Sequence, residues 1–228
     1  PRPAQLEHAQ ALLMRPGVES FKGLRDTAML AVLIGTGCRI SGLVSLNESS
    51  LLWGKNQKGV ERLKIRFREK GQKERIVPAP MEVGLLLRAY LGHRFLETIE
   101  PALPNGDRVL FVNTRNPTVS GSEHFGEKRR IRADTFAAIL KNYAQGCGIP
   151  MESRHPHAYR HLYGTELAES DVDLLIRQAL LGHAKPDTTA IYSSLAMQKL
   201  FEIVDRSNPL GKIKTVVTDL ANQMRRGG

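Results

Sequence analysis

At 228 residues and 25.4 kDa the chain is long enough to bury a self-sufficient core without disulfide or metal staples. Hydrophobic residues at 41% and charged residues at 25% exclude a disordered tract and a membrane protein, and the longest apolar run, 28–34, is far too short to cross a bilayer. The surplus of 33 Lys and Arg over 23 Asp and Glu, a net +10 with pI near 9.9, makes polyanions the first partners to test.

Cys38 and Cys147 show neither CxxC nor Cys/His spacing, so the sequence argues for no disulfide framework and no zinc finger. A reducing, cytoplasmic setting is expected. The chain opens at Pro1 without a Met or a signal-like apolar region and reads as cut from something longer.

In chain order, Leu6, Ala9, Leu12 and Leu13 recur at helical spacing within 3–14, and Pro16-Gly17 breaks the pattern. Residues 24–34 read as a second helix, ended by Gly35-Thr36-Gly37, and 40–46 as a short third, so Arg39 sits at a glycine-marked helix junction. Between 51 and 80 the period changes to two: Leu63, Ile65 and Phe67 alternate with Lys64, Arg66 and Arg68, and Arg75-Ile76-Val77 follows a turn at Lys70-Gly71-Gln72. This predicts a two-stranded hairpin with an apolar face and a basic one, and 55–59 reads as an extra turn between strands. Residues 55–75 hold nine basic side chains against three acidic, +6 in 21 positions.

Residues 81–97 read as helix, 109–112 as a short buried strand and 113–127 as loop. The remainder is helical: 133–145, 158–170, 172–181 and 188–204, the last capped by Asp187, with Pro209-Leu210-Gly211 as a break and 213–224 as a final amphipathic helix. The fold class that results is mainly α with a small antiparallel β-sheet.

Four separated strings carry the chemistry: TGCRISGLVSL around Arg39, FREKGQKERIVP around Lys70, HPHAYRHLYGTEL around Arg160, and LLGHAKPDTTAIY ending at Tyr192. Singly, each has an ordinary structural explanation, because arginines at helix ends bind carbonyls and histidines and tyrosines pack in cores. Together, in this order and spacing, they resemble the catalytic domain of the tyrosine recombinases, the phage integrase family. That family reads TG-x-R, then a Lys in a GKG-like hairpin turn, then H-x-x-R-H, then LGH with a Tyr nine residues on. Here the corresponding residues are Arg39, Lys70, His157 with Arg160 and His161, and His183 with Tyr192.

The resemblance implies that Tyr192 attacks a DNA phosphodiester to give a 3′-phosphotyrosine, with neither ATP nor metal. It implies that Arg39 and Arg160 hold the non-bridging phosphate oxygens, whose charge grows in the transition state. Lys70 is then suited to protonate the departing 5′ oxygen, His157 to accept the Tyr192 proton, and His183 to donate a hydrogen bond to the phosphate; the roles of the two histidines could be exchanged. Candidate DNA contacts are Lys64, Arg66, Arg68, Lys73 and Arg75 on the hairpin and Lys128, Arg129, Arg130 and Arg132 beyond it. His157 and His161 share a helical face, as in zinc proteases, but Ala158 stands where the general base would be and Arg160 lies between them, so no metal and no cofactor is expected.

The sequence departs from the family at Glu69 before Lys70, where Gly is usual, at Gly42, where Glu is usual, and at Ser194, where His is often seen. Lys73 is the competing candidate for the lysine role. Residues 1–212 are expected to form the catalytic domain, without the N-terminal core-binding domain such enzymes carry. Residues 213–228 are expected to form a tail able to dock on a neighbouring subunit, with 207–211 as hinge. The implied partner is double-stranded DNA, bound by a homotetramer, with no membrane. The alternatives are strand relaxation of the type IB topoisomerase kind and a non-catalytic DNA-binding module.

Overall fold

The computed structural model describes residues 4–56, 58–68, 74–115, 120–182, 194–219 and 221–222. Helix α1 (Leu6–Met14) leads to α2 (Phe21–Thr36), which begins ahead of its apolar run because the Ser20 hydroxyl accepts the Gly23 N–H at 3.1 Å and caps it. Every residue of α2 except Lys22 is buried. A helix covered on all sides belongs at the centre, and α1, α4 (Met81–Leu91) and α6 (Pro156–Glu169) pack around it.

Its two interior charges are satisfied locally. Arg25 donates to Asp26 Oδ1 from Nε at 2.8 Å and Nη2 at 2.6 Å, and from Nη1 to the Val112 carbonyl at 2.9 Å. The Tyr143 hydroxyl, from α5 (Ala133–Gly146), donates to Asp26 Oδ2 at 2.9 Å. A buried ion pair of this kind costs desolvation but leaves no charge alone.

Short α3 (Ile40–Val44) precedes a three-stranded antiparallel sheet of β1 (Leu51–Lys55), β2 (Glu61–Arg68) and β3 (Glu74–Pro78) in that order. The expected hairpin is β2–β3, and β1 adds on the other edge of β2 with Leu51 opposite Ile65. Residues 109–112 are buried as expected but form no strand: Val109 and Val112 make isolated bridges to Asn47 and Arg130, and the backbone between them bonds to scattered partners, with Leu110 N–H donating to the Leu46 carbonyl at 3.1 Å and the Phe111 carbonyl accepting from Ile131 N–H at 3.0 Å. The expected helix 81–97 ends at Leu91. Beyond Gly92, His93 accepts the Phe95 N–H at 3.1 Å and starts a separate 3₁₀ turn, Arg94–Thr98.

Helix α7 (Leu174–Leu181) starts where Asp173 Oδ1 accepts the Leu175 N–H at 2.8 Å, later than the apolar pattern begins. Helix α8 (Ser194–Ser207) covers the second part of the expected 188–204 helix, and Asp187 and 188–193 lie outside the described residues. No helix among the described residues is long and apolar enough to cross a membrane.

The segment expected to be a hinge is buried from Ser207 to Leu210, with Asn208 accepting the Gly211 N–H at 3.2 Å and donating to the Val204 carbonyl. Lys212 then pairs with buried Glu166 of α6 at 2.6 Å. The Lys214 N–H donates to Gln10 of α1 at 2.9 Å, and Ile213, Thr215 and Ala221 are buried. Helical residues occur at 218–219 and 221–222, not from 213. Among the described residues of this segment, Ile213 joins the apolar core of the domain and Val217 packs against it. Truncation after Lys212 is expected to lower the stability of the isolated chain by about 1–3 kcal/mol, the scale of one or two uncovered apolar side chains; an unchanged melting temperature would show that this contact contributes nothing in cis.

Candidate active site

Helix α6 begins two residues before the periodicity suggests. His155 caps it, its Nδ1 accepting the Ala158 N–H at 3.2 Å, and Pro156 occupies a first-turn position where no N–H is needed. His157 and Arg160 follow one turn apart, with His157 exposed and Arg160 only 8% exposed. The Arg160 fork is spread between two helix ends: Nη1 donates to the Gly37 carbonyl at 2.5 Å and Nη2 to the Leu181 carbonyl. Gly37 caps the C-terminus of α2 and Leu181 is the last residue of α7. Both ends carry unsatisfied carbonyls and the negative pole of a helix dipole, so a guanidinium is stabilised where they converge. A second arginine works on the same end, since Arg75 of β3 donates to the Leu180 carbonyl.

Gly37 takes the left-handed conformation, φ 58°, that turns the chain from α2 into Cys38 and Arg39. A Cβ here would stand 2.5 Å from the Tyr163 ring, so α6 packs against bare backbone. Arg39 is the N-cap of α3, half-buried, and Gly42 one turn on lies against Phe67 of β2. Cys38 is buried, and burial pushes its thiol up to about 11 against the smaller opposing effects of the Thr36 hydrogen bond and the charges of Arg75 and Arg160. Tyr163 is wholly buried, its hydroxyl has no hydrogen-bond partner among the described residues, and burial raises its phenol well above the ordinary value.

The structure therefore brings together the strings around Arg39 and Arg160 and the helix that runs into Leu181-Gly182. Lys70 and Lys73 lie in the sequence between the paired strand ends Arg68 and Glu74, outside the described residues, as do His183, which follows the Gly182 cap of α7, and Tyr192, two positions before α8. His157 and His161 are both exposed on α6, and no group of three or more His, Cys, Asp or Glu among the described residues is placed to hold a metal ion.

Among the basic residues expected to meet DNA, Arg68, Lys128 and Arg132 are exposed and Lys64 and Arg66 half-buried. Arg75 differs. Its register opposite Phe67 puts it on the apolar face, 7% exposed, with its guanidinium 5.4 Å from the Phe67 ring centroid and bonded to Leu180. Arg130 is also engaged internally, holding the carbonyls of Val44 and Leu46, Asn47 Oδ1 and Glu127, while Arg129 lies 3.0 Å from His124 Nδ1. These three act within the protein in this structure.

The phage integrase family profile matches residues 5–199 of the chain. The chain belongs to that family. It is 32% identical over 212 residues to the tyrosine recombinase XerC of Thermodesulfovibrio yellowstonii, covering 93% of this chain and 64% of that protein. To the tyrosine recombinase XerD of Yersinia pestis it is 35% identical over 211 residues, covering 91% and 62%. The chain thus spans less than two thirds of the length of these curated relatives. Among solved structures, the integrase from mycobacterium phage Brujita superposes with a TM-score of 0.61 at 20% identity, covering 98% of this chain and 63% of that one. XerH bound to its palindromic difH substrate, in a post-cleavage complex, does so with 0.61 at 20% identity, covering 90% and 53%. These neighbours share the fold: mainly helical with a small antiparallel sheet.

Within this phage integrase domain, sequence reasoning missed two contributions to the site. His155 was legible, because a polar residue before Pro at a helix start is a capping signal. The inward turn of Arg75 was not, since an arginine following a strand of alternating Arg gives no sign that the register across the turn places it opposite Phe67. Gly37→Ala is expected to destabilise the domain by about 1–3 kcal/mol through backbone strain and the clash with Tyr163, read as a lower denaturation midpoint. Cys38 is expected to resist alkylation in the native state while half-buried Cys147 reacts first. Because the Cys38 thiol is raised from 9.0 to about 11, the stability it contributes is complete below pH 9.0 and is lost as the pH rises through about 11.

Proposed function

We propose that this domain cuts and rejoins double-stranded DNA through a covalent bond between Tyr192 and the 3′ phosphate, as the catalytic part of a site-specific recombinase. The observation that carries the reading is the Arg160 joint: one guanidinium fastens the turn leading to Arg39 to the end of the helix leading to His183. Gly37 and Arg160, 123 positions apart in the sequence, thereby meet, in a chain with a net charge of +10. Family membership supports the same conclusion.

In the proposed step the Tyr192 phenolic oxygen attacks phosphorus, its proton passing to His157, and the bond from phosphorus to the 5′ oxygen breaks as Lys70 protonates that oxygen. Arg39 and Arg160 stabilise the non-bridging oxygens, which gain charge in between, with His183 donating a further hydrogen bond. Rejoining runs the step in reverse with a 5′ hydroxyl as nucleophile, so the phosphotyrosyl bond conserves the free energy that ligation requires. The chemistry calls for no nucleotide and no metal. On DNA the active assembly is a homotetramer holding two duplexes.

The test is a duplex nicked so that the released 5′-hydroxyl fragment diffuses away, followed by denaturing electrophoresis. The wild-type chain is expected to leave a covalent adduct, insensitive to chelator, and Tyr192→Phe to leave none; an adduct of unchanged yield in that variant would move the nucleophile elsewhere. Arg39→Ala should slow the reaction by about 10²-fold. Replacing the 5′-bridging oxygen by sulfur should restore cleavage to Lys70→Ala, because the thiolate leaves without a proton. Restoration of Lys73→Ala instead would transfer that role to Lys73.

A further inference from the structure

Arg62 of β2 makes an interaction that the proposed chemistry leaves unexplained. Its Nη1 pairs with Asp205 Oδ2 at 2.6 Å, with the two side chains 11% and 17% exposed, and its guanidinium lies over the Phe201 ring at 4.3 Å from the centroid. Phe201 and Asp205 are four residues apart, hence on one face of α8. A single side chain that grips both positions fixes the rotation of the helix about its own axis as well as its distance from the sheet. The two ends of this contact lead to chemically important residues. Ser194, the first residue of α8, follows Tyr192 by two positions in the sequence, and β2, which carries Arg62, ends at Arg68, two positions before Lys70.

The geometry points to Arg62 as a positioning residue that sets how α8 lies against β2, and through α8 the efficiency of the step proposed for Tyr192. This inference rests on the reading of Tyr192 as nucleophile. The pair contributes little net stability: Arg62 Nε and Nη2 and Asp205 Oδ1 are buried with no hydrogen-bond partner among the described residues, and a buried, half-satisfied ion pair is commonly no more stabilising than apolar side chains of similar size. Its directional hold on α8 is what an apolar replacement would not reproduce.

The experiment uses the full 228-residue chain and the nicked duplex, with three readings. These are the single-turnover cleavage rate at saturating DNA, the DNA dissociation constant in a Tyr192→Phe background, and the melting temperature. Arg62→Met/Asp205→Leu, which replaces both charges together, is expected to keep the wild-type melting temperature and DNA affinity while cleaving about tenfold or more slowly, the scale of a misplaced reacting group. Arg62→Lys, which retains a cation over Phe201 and beside Asp205, should recover most of that rate. An unchanged rate in the double variant, or a fall in rate matched by losses of affinity or melting temperature, overturns the positioning role. A wild-type chain that forms no adduct overturns the functional reading and this inference with it, whereas a wild-type adduct with unaffected variants overturns this inference alone.

Discussion

Helix α2 exposes only Lys22, near its start, so its far end is closed by protein rather than by water. The end of α2 sets where the rest of the site can be. The residues at that end are buried, Thr36 and Gly37 bond the Val32 and Leu33 carbonyls, and a guanidinium from α6 takes the Gly37 carbonyl. That same guanidinium reaches the end of α7, which is why two helices distant in sequence finish at one point. Left unpaired, each such carbonyl would cost about 1–3 kcal/mol. The positive charge is tolerated inside because two helix dipoles present their negative ends to it. Arg160 is therefore structural before it is anything else, and the loss of its side chain would displace Arg39 and the approach to His183 as well as remove a donor.

The sheet joins this centre by the same means. Arg75 from β3 reaches the end of α7, and Arg62 from β2 reaches α8, so each helix that leads to or from the 183–193 segment is tied by an arginine. Glu166 and Lys212 close the arrangement from the far end of α6 to the segment after α8. Apolar burial supplies the bulk of the stability, and it is non-directional. The arginines add direction, because a planar fork bonds only along its own axes. A domain that joins the ends of helices and strands distant in sequence needs that second property as well as the first.

The sequence made the periodic elements legible and the site only as a set of separate strings. The amphipathic spacing of α1, the alternation along β2 and the glycine at the end of α2 each follow from local chemistry, and each stands where local chemistry puts it. What failed was long-range. The apolar run 109–112 has strand composition, but its neighbours offer only Asn47 and Arg130 as bridging partners, and a strand needs a ladder. Helix α4 stops at Leu91 because the His93 ring competes for a backbone N–H, a choice invisible to a count of apolar residues. Arg75 and Arg130 look like surface cations until the carbonyls they serve are known, and those lie up to 105 positions away.

The proposed nucleophile, Tyr192, is one of several phenols in the sequence. The chain has five. Tyr90 is buried with its hydroxyl donating to the Leu110 carbonyl at 2.9 Å, and Tyr143 donates to Asp26. Burial, and for Tyr143 the adjacent Asp26 charge, raises both phenols, Tyr143 to about 12. Tyr159 and Tyr163 are wholly buried on α6, and burial raises both. Tyr163 has the closest claim of these four, lying one turn from Arg160 and against Gly37. Yet a phosphodiester could reach its oxygen only if α6 left α2, which would break the Arg160 joint that assembles the site. Use of Tyr163 as nucleophile would therefore displace the arginine proposed to stabilise the transition state of its own attack. Tyr90, Tyr159 and Tyr163 are thus buried in the core and Tyr143 is half-buried and bonded to Asp26, so the role proposed for Tyr192 meets no rival among the described tyrosines.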